Sequence, residues 1–332
     1  MKKEDILEKI AEQTILPVIA APMFLVSSPE LVIECCKNGV ISSFPLPNAR
    51  TIEVLDEWMN KITVSLEKSI QNSDRKTAPW AANIITHQSY DRFEQELDLI
   101  KHYKPPIVIT ALGSPARVVE AVHKYGGLVF ADVNSVKFAK KAAQTGVDGL
   151  ILVSSGAGGH TGSMTGFAYV DAVRQFWDGI IVLAGGISSG KGILAAQALG
   201  ADLVYMGTSF IPAEESYAQQ EYKEMVVEAE FDDILSTNAF TGVHANMLIP
   251  SIKKAGLIPE NLKPKESIDF SNPQGESKAW RDIWSAGQGV GAIQAIQPAA
   301  VIIEKLRQEY VQAQHDLQLT NKWIVINKEM IK

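Results

Sequence analysis

Ile180-Ile181-Val182-Leu183-Ala184-Gly185-Gly186 and, about twenty residues later, Leu203-Val204-Tyr205-Met206-Gly207-Thr208 each carry a short apolar run into a turn that holds glycine. Between them lies a stretch of helical character, Gly190 to Leu199. Strand, glycine turn, helix, strand, glycine turn is how a (β/α)₈ barrel builds a phosphate site after its seventh and eighth strands. Glycine lets the backbone come close, so that amide N–H groups point at phosphate oxygens. A tight turn or a helix cap explains one such glycine equally well. Two, after consecutive strands, point to an anionic ligand.

Working outward, the same alternation runs back to the start of the chain. Candidate strands are Val18–Ala20, Val40–Ser43, Trp80–Ile84, Ile107–Thr110, Leu128–Ala131, Gly149–Val153, Ile180–Leu183 and Leu203–Met206. Candidate helices between them are Pro29–Asn38, Ile52–Glu67, Tyr90–Tyr103, Pro115–Lys124, Val136–Thr145, Phe167–Trp177 and Gly190–Leu199. Apolar strands alternating with helices imply a parallel sheet. Ser28-Pro29 and Ser114-Pro115 place a cap residue before a first-turn proline, and Asn38-Gly39, Thr145-Gly146 and Leu199-Gly200 place glycine past a helix end. A doubly wound sheet would show a glycine fingerprint after its first strand. Ala21-Pro22-Met23 stands there instead, which favours the barrel.

The expected organisation is a barrel over 1–212, a smaller substrate-covering lobe over 213–283, and a return to the barrel over 284–332. The lobe is polar, punctuated by Pro250, Pro259, Pro264 and Pro273. A last helix, from Pro298 to about His315, is expected to return as the eighth outer helix, and the tail Trp323–Ile331 carries no assignment.

The chain has 332 residues, 46% apolar and 21% charged, as in soluble globular proteins. A net charge of −7 argues against a nucleic-acid partner. No apolar run reaches membrane-spanning length, so no membrane partner is expected. The only cysteines, Cys35 and Cys36, are adjacent and ill placed to bridge, which fits a reducing, cytoplasmic setting. Buried, inert thiols are the plain expectation for them.

Chemistry in a barrel gathers at the C-terminal ends of its strands. That rule selects Ala21, Pro22 and Met23 after the first strand, Asn83 near the end of the third, Asp132 at the end of the fifth and Met206 at the end of the eighth. It also selects the loop Ser154-Ser155-Gly156-Ala157-Gly158-Gly159-His160-Thr161-Gly162, where four glycines fall within seven residues. His160 at its tip is the side chain suited to accept a proton near neutral pH, although a lone histidine more often caps a turn. Asn83 is placed to bond the edge of a bound ring, or to serve as an ordinary turn residue. Gln288, in Ala286-Gly287-Gln288-Gly289-Val290-Gly291, either contacts the ligand or sits in a glycine hinge. His87, His102, His123, His244 and His315 lack such a frame. No histidine–carboxylate spacing suggests a metal site.

Taken together, these segments resemble the nitronate monooxygenase family, formerly the 2-nitropropane dioxygenases. The resemblance rests on Pro17–Met23, Ala157-Gly158-Gly159-His160-Thr161-Gly162, Ala184-Gly185-Gly186-Ile187, Met206-Gly207-Thr208-Ser209-Phe210, Thr241–Asn246 and Ala286–Gly291, and runs from about residue 14 to about 310. It implies an FMN-dependent oxidoreductase that uses O₂ on a small alkyl nitronate or nitroalkane, releasing a carbonyl compound and nitrite. It implies that His160 is the base and that Met23, Asn83, Gly158, Gly185, Gly186, Gly207 and Thr208 line the flavin and its phosphate. Ala21, Pro22, Asp132, Ala157, Met206 and Gln288 are expected around the same cofactor. Relatives differ around Val153, Ser155-Gly156 and Asp132. Two alternatives share the barrel: an NADH-dependent FMN enoyl-acyl-carrier reductase and a non-catalytic flavin-binding protein. A homo-oligomer is compatible with the sequence.

Overall fold

Strands buried on both faces need no polar alternation, and here the parity of each strand decides what its side chains meet. The computed structural model describes residues 2–72, 75–240, 242–265 and 282–320. Eight parallel strands close into a barrel: β1 (Val18–Ala20), β2 (Ile41–Pro45), β3 (Trp80–Ile85), β4 (Ile107–Ala111), β5 (Leu128–Val133), β6 (Gly149–Val153), β8 (Ile180–Ala184) and β9 (Leu203–Met206). The ring shuts where Val18, Ile19 and Ala20 pair with Val204, Tyr205 and Met206.

One parity set, including Ile19, Ile41, Ala81, Ile109, Phe130, Ile151, Val182 and Leu203, fills the barrel interior. The other, including Val18, Phe44, Ala82, Val108, Val129, Leu150, Ile181 and Val204, packs under the helices. A first helix that the strand–helix alternation does not suggest, α1 (Lys3–Gln13), presses Ile6 and Ile10 into the interior set and stops the N-terminal end.

The outer helices are α2 (Pro29–Lys37), α3 (Ile52–Asn72), α4 (Phe93–Tyr103), α5 (Ala116–His123), α6 (Val136–Ala143), α7 (Gly166–Arg174) and α8 (Gly190–Ala198). Ser28 caps α2, its hydroxyl accepting the Leu31 N–H at 3.0 Å. Ser114 does not cap in that way: α5 begins one residue later than Ser-Pro suggests, and the Ser114 hydroxyl takes the Ala116 N–H. Cys35 and Cys36 are free and fully buried in α2, and burial pushes the Cys36 thiol up to about 12. No helix among the described residues is long and apolar enough to cross a membrane.

Beyond β9 the structure holds more order than the sequence suggests. The described residues of this stretch include the helices α9 (Gln220–Glu228) and α10 (Ile249–Lys254) and the strands β10 (Ile234–Thr237) and β11 (Ala245–Leu248). The strands form an antiparallel sheet in the order β10-β11-β7, where β7 is Gly159–His160 from the loop after β6. A final helix, α11 (Ala299–Thr320), lies against α8 and α2 as the eighth outer helix. Lobe positions 266–281, Pro273 among them, and the tail Trp323–Ile331 lie outside the described residues.

Candidate active site

The inward parity set continues to the mouth of the barrel, and there it turns polar. Asn83 follows Ala81 on β3, Asp132 follows Phe130 on β5, and Tyr205 follows Leu203 on β9. Asn83 is buried, and its Nδ2 donates to the Ile109 carbonyl at 3.3 Å. Asp132 Oδ1 is sealed from solvent with no hydrogen-bond partner among the described residues. A carboxylate without water or donors is costly, so desolvation pushes its carboxyl up to about 7. Burial, and then the charge of Asp132, raise the phenol of Tyr205.

The turn after β1 meets the turn after β9. Ala21 N–H donates to the Met206 carbonyl at 2.9 Å, and a Cβ built on Gly207 would lie 3.5 Å from Met23 Sδ and 3.6 Å from Ala21 Cβ. Asn48, which the sequence gives no cause to single out, pins this turn. Its Nδ2 donates to the Met23 and Ser27 carbonyls at 3.0 and 2.9 Å, and its Oδ1 accepts the Leu25 N–H at 3.0 Å. Pro22 sits half-buried in the same turn.

Three further loops converge beside it. Gly185 and Gly186 both take left-handed backbone, with φ of 115° and 70°. A Cβ on Gly185 would fall 2.3 Å from Ser154 Oγ, one on Gly156 2.9 Å from Gly186 N, and one on Gly158 2.7 Å from Gly287 N. The Gly156 carbonyl accepts both Gly186 N–H (3.1 Å) and Gln288 N–H (3.0 Å), and Gly287 N–H donates to Thr208 Oγ1 at 2.8 Å. The loops after β6 and β8 and the 284–291 segment therefore touch backbone to backbone, and the loop after β9 joins them through the Thr208 hydroxyl. Gln288 is exposed at their rim, with its Oε1 beside Gly156.

His160 belongs to β7, whose pairing with β11 sets Ala245 opposite His160 and Asn246 opposite Gly159. Thr161 N–H donates to the His244 carbonyl at 3.0 Å, and Thr161 Oγ1 to the Ser154 carbonyl at 2.7 Å. Burial pushes the imidazole down to about 4, so it is neutral at physiological pH. Three other histidines are engaged elsewhere: His87 Nδ1 lies 2.7 Å from Ser89 Oγ, His123 Nε2 lies 2.9 Å from Asp148 Oδ2, and the His102 ring meets Tyr103 edge-on. Among the described residues no cluster of three or more His, Cys, Asp or Glu side chains is shaped for a metal ion.

The sequence-predicted residues thus fall into three adjoining groups at one mouth. Ala21, Pro22, Met23, Met206 and Gly207 form one. Ala157, Gly158, Gly185, Gly186, Thr208 and Gln288 form a second, with His160 on the β7 edge beside it, and Asn83 and Asp132 line the barrel wall.

The sequence profile of nitronate monooxygenases matches residues 6–309. The chain belongs to the nitronate monooxygenase family. The nitronate monooxygenase of Neurospora crassa is 26% identical over 344 residues, covering 88% of each chain. Among solved structures, FabK from Thermotoga maritima superposes with a TM-score of 0.76 at 25% identity, over 96% of this chain and 99% of that one. Nitroalkane oxidase from Streptomyces ansochromogenes shares the fold with a TM-score of 0.78 at 22% identity, over 93% and 99%. As a member of the nitronate monooxygenase family, the chain is an oxidoreductase, and the family's chemistry is the oxidation of nitro compounds with flavin.

Proposed function

We propose that this chain binds FMN across the barrel mouth and oxidises alkyl nitronates with O₂ to a carbonyl compound and nitrite, with His160 removing the α-proton when the substrate is a neutral nitroalkane. The observation that carries this reading is the position of His160: the β7–β11 pairing holds it at the mouth where the glycine turns meet.

The residues present suit the cofactor. The first N–H groups of a helical turn lack intrahelical acceptors, and the turn Thr208–Phe210 starts at Gly207, beside Gly185-Gly186. At the start of α8 the Gly190 N–H already donates to Glu309 Oε2 and the Gly192 N–H to Ser189 Oγ. The Gly185-Gly186 and Gly207-Thr208 turns, after consecutive barrel strands, would hold the phosphate. Ala21, Pro22, Met23, Ala157 and Gly158 would line the cofactor, with Gln288 at the rim. Asn83 and the buried Asp132 would supply polar edges.

The bound flavin supplies the electron acceptor that O₂ restores. The protein's part is placement and proton handling. A neutral imidazole offers a ring nitrogen lone pair for the α-proton of a nitroalkane, and the imidazolium so formed is offset by the nitronate anion it leaves behind. A substrate that arrives as nitronate needs no base, and His160 then serves as a hydrogen-bond donor to the nitro oxygens. Anaerobic addition of propyl nitronate to the flavin-loaded protein tests the reading: bleaching of the visible flavin band supports it. No response to nitronate, with bleaching by NADH, moves the assignment to an NADH-driven enoyl-thioester reductase.

A further inference from the structure

We infer that Asn246 is the residue that positions His160, by tying both ends of the loop after β6 to strand β11. It makes no contact with the reacting atoms in this assignment, which rests on His160 acting as the base.

Asn246 is 1% exposed. Its Nδ2 donates to the Ser155 carbonyl at 2.8 Å and to the Ala157 carbonyl at 2.7 Å. The carbonyl between them, that of Gly156, is held by Gly186 and Gln288. Three consecutive loop carbonyls are thereby fixed, two of them by one side chain. The backbone of the same residue stands opposite Gly159, its neighbour Ala245 opposite His160, and the His244 carbonyl takes the Thr161 N–H. The near side of the loop hangs from the Asn246 amide and the far side from the β11 backbone. His160 is left with side-chain torsions as its principal freedom.

The chemistry selects asparagine. Two donors from one planar group are needed, and a buried carbonyl deprived of its donor is costly. Aspartate would set oxygens against both carbonyls. Glutamine adds a methylene where there is no exposed space to take it. Serine has one short donor. The amide orientation is unambiguous, because flipping it would face Oδ1 to two carbonyl oxygens. Oδ1 is itself sealed, with no donor among the described residues.

The test uses the flavin-loaded chain and the apoprotein. Asn246→Leu keeps the branching at Cγ, at the cost of a larger side chain, and removes both donors; Asn246→Ser, which leaves room for water, serves if the leucine variant does not fold. Turnover of neutral nitroethane should fall on the order of 100-fold, the scale of an ångström-sized misplacement, while turnover of ethyl nitronate, which needs no base, falls several-fold at most. In the apoprotein, amide hydrogen exchange at 155–161 should quicken at least tenfold, with that of the barrel strands unchanged. The His160 ring should titrate closer to its ordinary value as the loop lets water in. Wild-type exchange at 155–161 in a folded variant overturns the proposal. So does equal loss on both substrates with quickened exchange confined elsewhere. If wild type itself turns over neither substrate, the base assignment fails, while the exchange and titration readouts still judge the tether.

Discussion

Glu309 on α11 caps α8: its Oε2 accepts the Gly190 N–H at 2.9 Å, and the last helix of the barrel thereby seals the first turn of its neighbour. The contact is close enough that a Cβ on Gly190 would lie 2.1 Å from Tyr310 N. Glu309→Ala should cost about 1 kcal/mol, the usual worth of a cap and a favourable helix-end charge. Gly190→Ala should cost more, about 1–3 kcal/mol, because backbone rather than a flexible side chain must yield. Denaturant unfolding of the two variants gives the order directly, and the reverse order would show that α11 docks by other contacts.

The two glycines after β8 should separate folding from ligand binding. Gly185→Ala places a Cβ 2.3 Å from Ser154 Oγ at a φ of 115°, and should lower the apoprotein's melting temperature. Gly186 has open space around its Cβ position, so Gly186→Ala should cost about 1 kcal/mol for its left-handed backbone. If the proposed phosphate assignment holds, the added methyl would enter the phosphate's space, and the purified variant should retain markedly less flavin. A Gly186→Ala protein that holds a full complement of flavin would move the phosphate elsewhere.

His160→Asn should lower turnover of neutral nitroalkane by a factor of about 10² to 10⁴, the usual contribution of a positioned base. Turnover of preformed nitronate should fall far less. Parallel loss on both substrates would remove the base assignment and leave an electrostatic role.

Asp132 gives a pH signature in the apoprotein. Its folded carboxyl keeps a proton to about pH 7, whereas the unfolded chain releases it near the ordinary value of 3.8. Between those limits the folded state binds more protons, so this group makes stability fall as pH rises from about 4 to 7. Asp132→Asn removes that slope. The variant should match wild type near pH 4 and melt at a higher temperature near pH 8. Identical melting curves at pH 8 would mean that folding does not raise the Asp132 carboxyl.

The parts of the molecule that repeat were legible in its sequence. Each barrel strand is an apolar run buried on both faces, and each outer helix has its own local boundaries, so the count of eight strands and the edge carrying the glycine turns follow from short windows. Boundaries moved where a neighbour decided them: β2 runs on to Pro45 because its backbone still pairs with Asn83 on β3. The residues left unforeseen act at long range. β7 is two residues long and shows no periodicity, and its partner β11 lies far along the chain. Asn48 and Glu309 work through groups supplied by distant loops, and no local pattern marks them; Asn246 closes the Thr241–Asn246 segment of the resemblance, but its partners, the Ser155 and Ala157 carbonyls, are far along the chain. α1 falls outside the alternation because it precedes the first strand, although Ile6 and Ile10 are one helical turn apart.

The pairing of β7 with β11 also sets an order of events during synthesis. All eight barrel strands lie between residues 18 and 206, but the strand that holds His160 in place begins at Ala245, and the helix that completes the outer ring begins at Ala299. A nascent chain released just past the turn after β9 carries the whole barrel sheet and both glycine turns while His160 stands on an unbraced loop. His160 is thus one of the last residues of the molecule to be put in place, and a ribosome that stalls after β9 leaves it with no fixed address.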